Sequence, residues 1–588
     1  MPLALRAGPV ALVIALGLAS PVRAQDNVLI VIADDLGVDN INAYAESLAP
    51  PPTPNIDALA ARGVLFRNAW ANPLCSPSRA NLMTGRRAFR TGVGKFITPP
   101  ETAGPRENVL GLEEMTIPEL LDQAGSGYAH AAIGKWHLGD ARNGGALGPN
   151  RAGWSHFSGF LYGWSQYYRW PRTVNGATAT STAYQTSQIA DDAIDWLATA
   201  PEPWVCHLAF GAPHEPYHEP PAHLHTQNLT GLEPMVTPTP FYRAAVEALD
   251  SELGRVLASL PAGVMQRTNV VFLSDNGTPG PVTQWPLAPT HAKGTPYEGG
   301  VNVPLVVAGP AVASPGREEA ALVEITDVFA TVAELCGVAP TVPIIVSDSR
   351  SMAPYLRDPL QAPLRQFVLA EEFVGDVVTA YGSAAIRDDA FKLIRWYRPV
   401  GTSDELYDLM ADPLERINLL EAGATPAELQ RYQVLSDELV RARKLQGSVR
   451  SFGGVTCAGT AGMPFITASG EPRPGGSYVV GLKSAGPMLP AGLLLGVSAT
   501  SFAGLPLPLL LAPLGGAPGC FLHTSTDLSF GVTTDARGEA SVSIALPAFG
   551  TLAASAFFHS WVVVDPGASA LGLTTSDGAA VTVGAPIY

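Results

Sequence analysis

The apolar pattern changes character twice along the chain. Between about residues 27 and 310, near-continuous apolar runs alternate with amphipathic stretches. The runs are Asn27–Ala33 (NVLIVIA), Tyr128–Ile133, Trp204–Phe210 (WVCHLAF), Asn269–Leu273 (NVVFL) and Val303–Ala308 (VPLVVA). Runs without polar alternation fit strands covered on both faces, as in a mainly parallel sheet. The segments between them include Asn55–Arg62, Thr116–Ala124, Thr186–Leu197 and Tyr242–Leu260, which read as helices. This alternation predicts a doubly wound α/β architecture, with functional residues at the carboxyl ends of the strands.

Residues 361–449 read as a smaller α+β unit. Phe367–Ala370 is a strand, Ala384–Tyr397 a hairpin turning at Asp388-Asp389, and a helix runs from Pro426, after Thr425, to about Lys444. From about 450 the pattern becomes short strands broken by Gly and Pro, as in SGEPRPGGSYVVGLKSAGP, which predicts an all-β, sandwich-like unit. The expected division is therefore 25–360, 361–449 and 450–588. At the amino end, Arg6, the apolar stretch 8–19 and Val22-Arg23-Ala24 have the layout of a signal peptide cleaved near Ala24. An apolar run of ~12 residues falls short of the ~20 that a membrane span needs. Export, secreted or periplasmic, without a transmembrane anchor is the expectation.

Composition sharpens this picture. Of 588 residues 47% are hydrophobic, enough for a large core, so a disordered chain is excluded. Only 15% are charged, and the tail 450–588 contributes just 10 of those side chains, so it differs in kind from the body. A net charge of −16 argues against a nucleic-acid partner. Five cysteines exclude a disulfide scaffold and leave one thiol over. Cys206 and Cys336 fall in expected core elements, whereas Cys457 and Cys520 share the tail and, in an exported protein, are expected to pair.

The chemistry concentrates at Cys75-Ser76-Pro77-Ser78-Arg79, followed by Leu82-Met83-Thr84-Gly85. Proline is tolerated in the first turn of a helix, so Cys75 is expected near the start of a helix at 77–84, an end that favours anions and lowers a thiol's pKa. Asp34-Asp35 ends the first strand, and Ser274-Asp275-Asn276-Gly277 ends another. Together they offer three carboxylates and an amide oxygen, a hard donor set suited to Ca²⁺ or Mg²⁺. Lys135 and His137 can both face an anion if Gly134–Gly139 is extended. His214 follows the strand at 204–210, and Lys293 precedes Gly294-Thr295-Pro296-Tyr297-Glu298-Gly299-Gly300.

The Cys75-x-Pro77-x-Arg79 core with Leu-Met-Thr-Gly behind it resembles that of type I sulfatases. The resemblance continues through GYAHAAIGKWHLG, APHEPYHEP, LSDNG, KGTPYEGGVNVP and ELYDLMADPLERINL, in the family's order from residue 27 to about 420. At His130 the sequence departs from the pattern, where Ser or Thr is common. The resemblance implies an alkaline phosphatase-like fold and an enzyme hydrolysing sulfate monoesters, of carbohydrates or aryl alcohols. It implies that a formylglycine-generating enzyme oxidises Cys75 to Cα-formylglycine. It also implies one Ca²⁺ held by Asp34, Asp35, Asp275, Asn276 and residue 75.

By the same resemblance, hydrated residue 75 attacks sulfur while Arg79 orients it. Lys135, His214 and Lys293 bind the sulfate, His214 with Lys293 protonates the leaving oxygen, and His137 removes the proton of the second hydroxyl. Sulfate then leaves by C–O elimination, which a plain Ser or Cys lacks the second hydroxyl to perform. Two other readings stand beside it: a phosphonate monoester or phosphodiester hydrolase with the same core, and a sulfated-glycan binding protein with Cys75 unmodified. The aromatic segment Trp154–Trp170 lines a sugar or aryl pocket or else packs in the core. The β tail binds glycan or the cell surface, or only stabilises the enzyme.

Overall fold

A computed structural model describes residues 25–583, apart from 99–108, 113, 164–165, 339–347, 375–380, 399–400, 444–447, 452–456, 471, 473–475, 518–519 and 548–554. Residues 1–24, expected above to form a signal peptide, lie outside the described residues. Ten strands form the main sheet: β1 Asn27–Asp34, β2 Gly63–Trp70, β3 Ala129–Lys135, β4 His156–Phe160, β5 Trp170–Val174, β6 Ala177–Ser181, β7 Trp204–Pro213, β8 Thr268–Ser274, β9 Leu305–Ala308 and β10 Arg317–Glu324. Their order is β10-β2-β9-β8-β1-β7-β3-β4-β5-β6. The central run β8-β1-β7-β3-β4 is parallel throughout, with β1 between β7 and β8.

Alternate residues of β1 feed two separate cores, which is what a doubly wound sheet requires. Val28, Ile30 and Ile32 pack with Ala80, Leu82 and Met83 of the helix Cys75–Thr84 and with Phe329. Leu29, Val31 and Ala33 pack with Ile189 and Ala193 of the helix Gln185–Leu197 and with Val246, Leu249 and Leu253 of the helix Pro238–Ser259. All eight residues of β1 are buried, which explains why the run shows no polar alternation.

One expected parallel strand runs the other way: β9 is antiparallel to both β8 and β2. A parallel return needs a crossover to the far end of the sheet. The 275–304 connection instead stays at the carboxyl end of β8, where it carries site residues, so the chain re-enters the sheet from that end. The antiparallel β4-β5-β6 edge was not legible, because β6 (ATATS) is mostly exposed and has no apolar face.

Close strand packing depends on Gly134, at φ +103°, where an added Cβ would collide with the Ala209 carbonyl oxygen of β7. Gly134→Ala is expected to destabilise the protein by about 3 kcal/mol or more. Chemical denaturation would measure it, and a native midpoint would refute it.

Strands β11 Val368–Val374, β12 Tyr381–Arg387, β13 Phe391–Arg398 and β14 Gly401–Asp408 form a second, antiparallel sheet, with the expected hairpin at β12–β13. One face packs on Leu435 and Leu439 of the helix Pro426–Arg443. The other packs against Trp70 of β2, Leu322 of β10 and Val301. The tail is all-β: Phe465–Gly470, Ser477–Lys483 and Ala540–Ala545 form one sheet, and a five-stranded sheet includes Pro490–Gly496, Ala556–Val564 and Leu573–Thr582. Both sheets share one core, in which Ile466, Val480 and Leu482 meet Leu493, Trp561 and Val581. Cys457 and Cys520 are disulfide-bonded, and Cys75, Cys206 and Cys336 are free and buried. No helix among the described residues is long and apolar enough to cross a membrane.

Candidate active site

The carboxyl ends of β1, β3, β7 and β8 lie side by side, and each delivers part of the site. Asp34 closes β1, and Asp35 follows in the left-handed region at φ 70°. That strained carboxylate is pinned at its carbonyl by the Tyr242 hydroxyl, which donates at 2.7 Å. Asp275 and Asn276 follow β8; Asp275 Oδ1 accepts the Asp35 amide at 3.2 Å, and Asn276 Nδ2 donates to Asp35 Oδ1 at 2.8 Å. Lys135 ends β3 with its side chain fully buried and its Nζ 2.5 Å from Asp34 Oδ2. Lys293 lies 2.5 Å from Asp35 Oδ1, and His214 Nε2 is 3.6 Å from Asp35 Oδ2.

Cys75 is the first residue of the helix Cys75–Thr84 rather than a residue before it, and Pro77 still sits in the first turn. Arg79, one turn on, donates from Nε to Asp275 Oδ2 at 2.8 Å and from Nη1 to the Lys135 carbonyl at 3.0 Å. The predicted acidic thiol is not found. Burial pushes the Cys75 pKa up, outweighing the pull of Lys135 and Lys293, so the helix end does not make an unmodified thiolate.

Three carboxylates face three basic side chains in a buried pocket, Asp34, Asp35 and Asp275 against Arg79, Lys135 and Lys293, each nine-tenths buried or more except Lys293 at 18% side-chain exposure. Burial pushes Asp34 up to about 8 against the pull of Lys135, with Asp275 and Asp35 adding to the push. Burial acts the same way on Asp35, but His214, Lys293 and Lys135 together hold it well below the usual carboxylate range. Lys293 is correspondingly raised: burial opposes its charge, and Asp35 outweighs that.

The two histidines are neutral here. Burial lowers His214 to about 3 despite Asp35, and burial with Lys135 and Arg79 lowers His137 well below its usual value. His137 is not in extended backbone as expected; the strand stops at Lys135 and His137 adopts φ 56°. Its Nε2 lies 2.8 Å from the Ile97 carbonyl, which fixes the proton there. The Nδ1 lone pair is left buried and without a hydrogen-bond partner. Such an atom is a proton acceptor in waiting.

Two buried oxygens also lack hydrogen-bond donors: Asp34 Oδ1 and Asn276 Oδ1. Donor atoms of Asp34, Cys75 and Asp275 lie within 4.8 Å of one another, as do those of Asp34, Asp35 and His214. Orphaned hard oxygens beside carboxylates that converge this closely fit an oxygen-seeking divalent cation.

Some supporting residues escaped the sequence reading. The Ser76 hydroxyl donates to the His137 carbonyl at 2.9 Å and accepts the Ile97 amide at 3.1 Å, so it ties the histidine's backbone to its ring partner. Tyr167 donates to the His214 and Gly211 carbonyls at 2.7 Å. Its place in the aromatic segment was the available signal. Trp154 and Trp170 of that segment are buried core residues, packed on His207 and Phe160, whereas Tyr168 is exposed. His130 is structural: its Nε2 pairs with Asp122 at 3.2 Å and its Nδ1 accepts the Ser155 amide at 3.1 Å, so the departure from the pattern leaves the site intact.

This fold is that of the sulfatases. A sulfatase family model matches residues 26–338, and a model for the C-terminal part of N-sulphoglucosamine sulphohydrolase matches 291–444. The chain belongs to the sulfatase family and is a sulfuric ester hydrolase. Human (Homo sapiens) arylsulfatase A is 29% identical over 485 residues, spanning 73% of this chain and 90% of that protein. The N-acetylgalactosamine-6-sulfatase of Canis lupus familiaris is 31% identical over 344 residues, 53% of this chain and 63% of the relative. Two solved structures share the fold. Ps i-CgsB in complex with k-i-k-neocarrahexaose has TM-score 0.58 and 24% identity, covering 71% of this chain and 93% of that one. BT4656 in complex with D-glucosamine-2-N,6-O-disulfate has TM-score 0.57 and 22% identity, covering 71% and 98%.

Proposed function

We propose that this chain is an exported carbohydrate sulfatase whose residue 75 works as formylglycine beside one Ca²⁺. The observation that carries this reading is the buried set of carboxylates and basic side chains around Cys75. An unmodified thiol there has a raised pKa and is a poor nucleophile, whereas an oxidised, hydrated residue brings two hydroxyls into the same place. Asp34, Asp35, Asp275 and Asn276 would hold the cation, with residue 75 completing the set. When bound, it supplies charge that neutralises the carboxylates and polarises an attacking oxygen. With the carboxylates so occupied, Arg79, Lys135 and Lys293 leave the pocket in positive excess, which suits a sulfate monoester anion.

In this reading Arg79 orients residue 75, and Lys135, His214 and Lys293 bind sulfate oxygens. The charged Lys293, beside His214 on Asp35, carries the proton, and with the carboxylates occupied by the cation the pair passes it to the leaving oxygen. His137, its Nδ1 lone pair free, takes the proton of the second hydroxyl as the residue-75 ester collapses. Sugar specificity is supported by relatives named for N-acetylgalactosamine 6-sulfate and glucosamine sulfate substrates. The division at 361 and 450, the signal peptide near Ala24, a maturation enzyme acting on Cys75 and a glycan or surface contact for the tail complete the proposal.

Mature protein with verified conversion at 75 should hydrolyse an aryl sulfate and release 6-sulfate from defined sugars. Faster hydrolysis of an aryl phosphonate would assign the phosphonate-hydrolase reading instead. Chelation should abolish turnover and lower the Tm, with Ca²⁺ restoring both; full activity after exhaustive chelation would refute the metal assignment.

A further inference from the structure

The connection from β8 to β9 carries Asn276 and Lys293, and its far half is gripped by the second sheet. Lys392 of β13 has a fully buried side chain, with Nζ 2.7 Å from Glu415 Oε1 and 3.2 Å from Glu298 Oε1. The same nitrogen lies 4.7 Å from the centre of the Trp70 ring. Arg387 of β12 reaches Glu298 Oε2 at 3.4 Å, and Glu415 Oε2 accepts the Glu298 amide at 2.5 Å. Two carboxylates and two cations thus close on one another around Glu298. Glu415 adopts φ 54°, a strain that persists only where surroundings over-determine it.

A second grip lies one residue earlier. The Tyr297 hydroxyl donates to Glu405 Oε2 at 2.8 Å, and Glu405 also accepts from the Tyr407 hydroxyl at 2.8 Å and the Trp396 indole at 2.9 Å. The Tyr297 ring stacks on His291 with centroids 3.7 Å apart. Lys293 sits between these two stacked residues in sequence, and its amide donates to Thr278 O at 3.0 Å.

The short helix Glu298–Val301 also reaches the metal side of the site. Gly277, next to Asn276, donates to the Gly300 carbonyl at 3.0 Å, and an added Cβ on it would strike the Gly299 carbonyl oxygen. Buried ion pairs of this kind add little net stability over apolar packing, and here they fix Glu298 to β12 and β13. The second family model begins at 291, placing Lys293 and the second sheet in one matched segment.

We propose that Lys392 and Glu405 are positioning residues: acting through Glu298 and Tyr297, they hold the Lys293 loop so that its ammonium meets the substrate sulfate. This rests on Lys293 binding sulfate, as read above.

The test uses the mature, full chain carrying Lys392→Met, with Tyr297→Phe as a milder variant that keeps the ring stack and carries the test alone if Lys392→Met does not fold. Amide exchange in 289–301 should accelerate while peptides of β1 and β8 stay protected. On an aryl sulfate, kcat/KM should fall by about tenfold for Tyr297→Phe and up to about 10²-fold for Lys392→Met, as sub-ångström to ångström misplacement does. In a Lys293→Ala background the same substitutions should cost no more than about twofold, because the coupled residue is gone. Unchanged loop exchange, or equal losses in both backgrounds, would overturn the proposal. Native kcat/KM in Lys293→Ala alone would instead remove Lys293 from sulfate binding, and loop exchange would then decide whether the second sheet holds the loop.

Discussion

Cys75→Ala is expected to lower kcat/KM on an aryl sulfate by at least about 10⁴-fold, the scale of losing a covalent nucleophile. The fold should tolerate it. Cys75 is 3% exposed at the first turn of its helix, alanine is the best helix former, and only one sulfur atom leaves the core. A Tm within about 3 °C of native would show that the loss is chemical. Cys75→Ser separates the two halves of the reaction. Produced without the converting enzyme, it has one hydroxyl, so it can accept a sulfuryl group and cannot expel it by elimination. Mass spectrometry after incubation with substrate should find one stoichiometric +SO₃ adduct on the peptide containing residue 75. Sustained turnover by the serine variant would sink the diol mechanism.

Lys135→Met should be nearly as damaging, through a different cause. Among the described residues Lys135 is the side chain that hydrogen-bonds the Asp34 carboxylate, at 2.5 Å and with no exposure, while Arg79 stands 3.9 Å away. Removing its charge leaves Asp34 in a pocket that already pushes its proton affinity up. Breaking a buried ion pair costs about 3–5 kcal/mol, which denaturation of metal-free protein would report. Loss of one preorganised donor to the developing sulfate charge should take another 10²–10³ or so from kcat/KM even when Ca²⁺ restores the fold. A variant retaining kcat/KM within threefold of native would exclude Lys135 from the sulfate site.

Much of this was legible along the chain because burial leaves a local signature. β1, β7 and β8 are covered on both faces, and their apolar runs say so without reference to any partner. The helix from Pro426 to Arg443 announces itself through Thr425, Pro426 and its last-turn arginines. Asp34 and Asp275 stood out as polar groups at the ends of apolar strands, where doubly wound sheets put chemistry, whereas Cys75, Lys135 and His214 stood out through motifs that resemble those of the sulfatases. By contrast, β6 and β9 were misread or missed. An exposed edge strand has no apolar code, and strand direction depends on where the preceding connection lies.

The α/β alternation of the body, the two-faced burial of the central strands and the all-β character of the tail were legible in the linear chain, since each follows from neighbours a few residues apart, and the candidate reactive groups were marked by their motifs. The chemistry of those groups was not. Lys293 meets Asp35 across 258 residues, and Arg79 meets Asp275 across 196. Only that convergence in a buried pocket raises the Cys75 thiol against the helix end, keeps His137 and His214 neutral, leaves Asp34 and Asn276 with unsatisfied oxygens, and ties the Lys293 loop to Lys392. Desolvation and charge pairing act through space, between segments whose separation the sequence pattern does not encode.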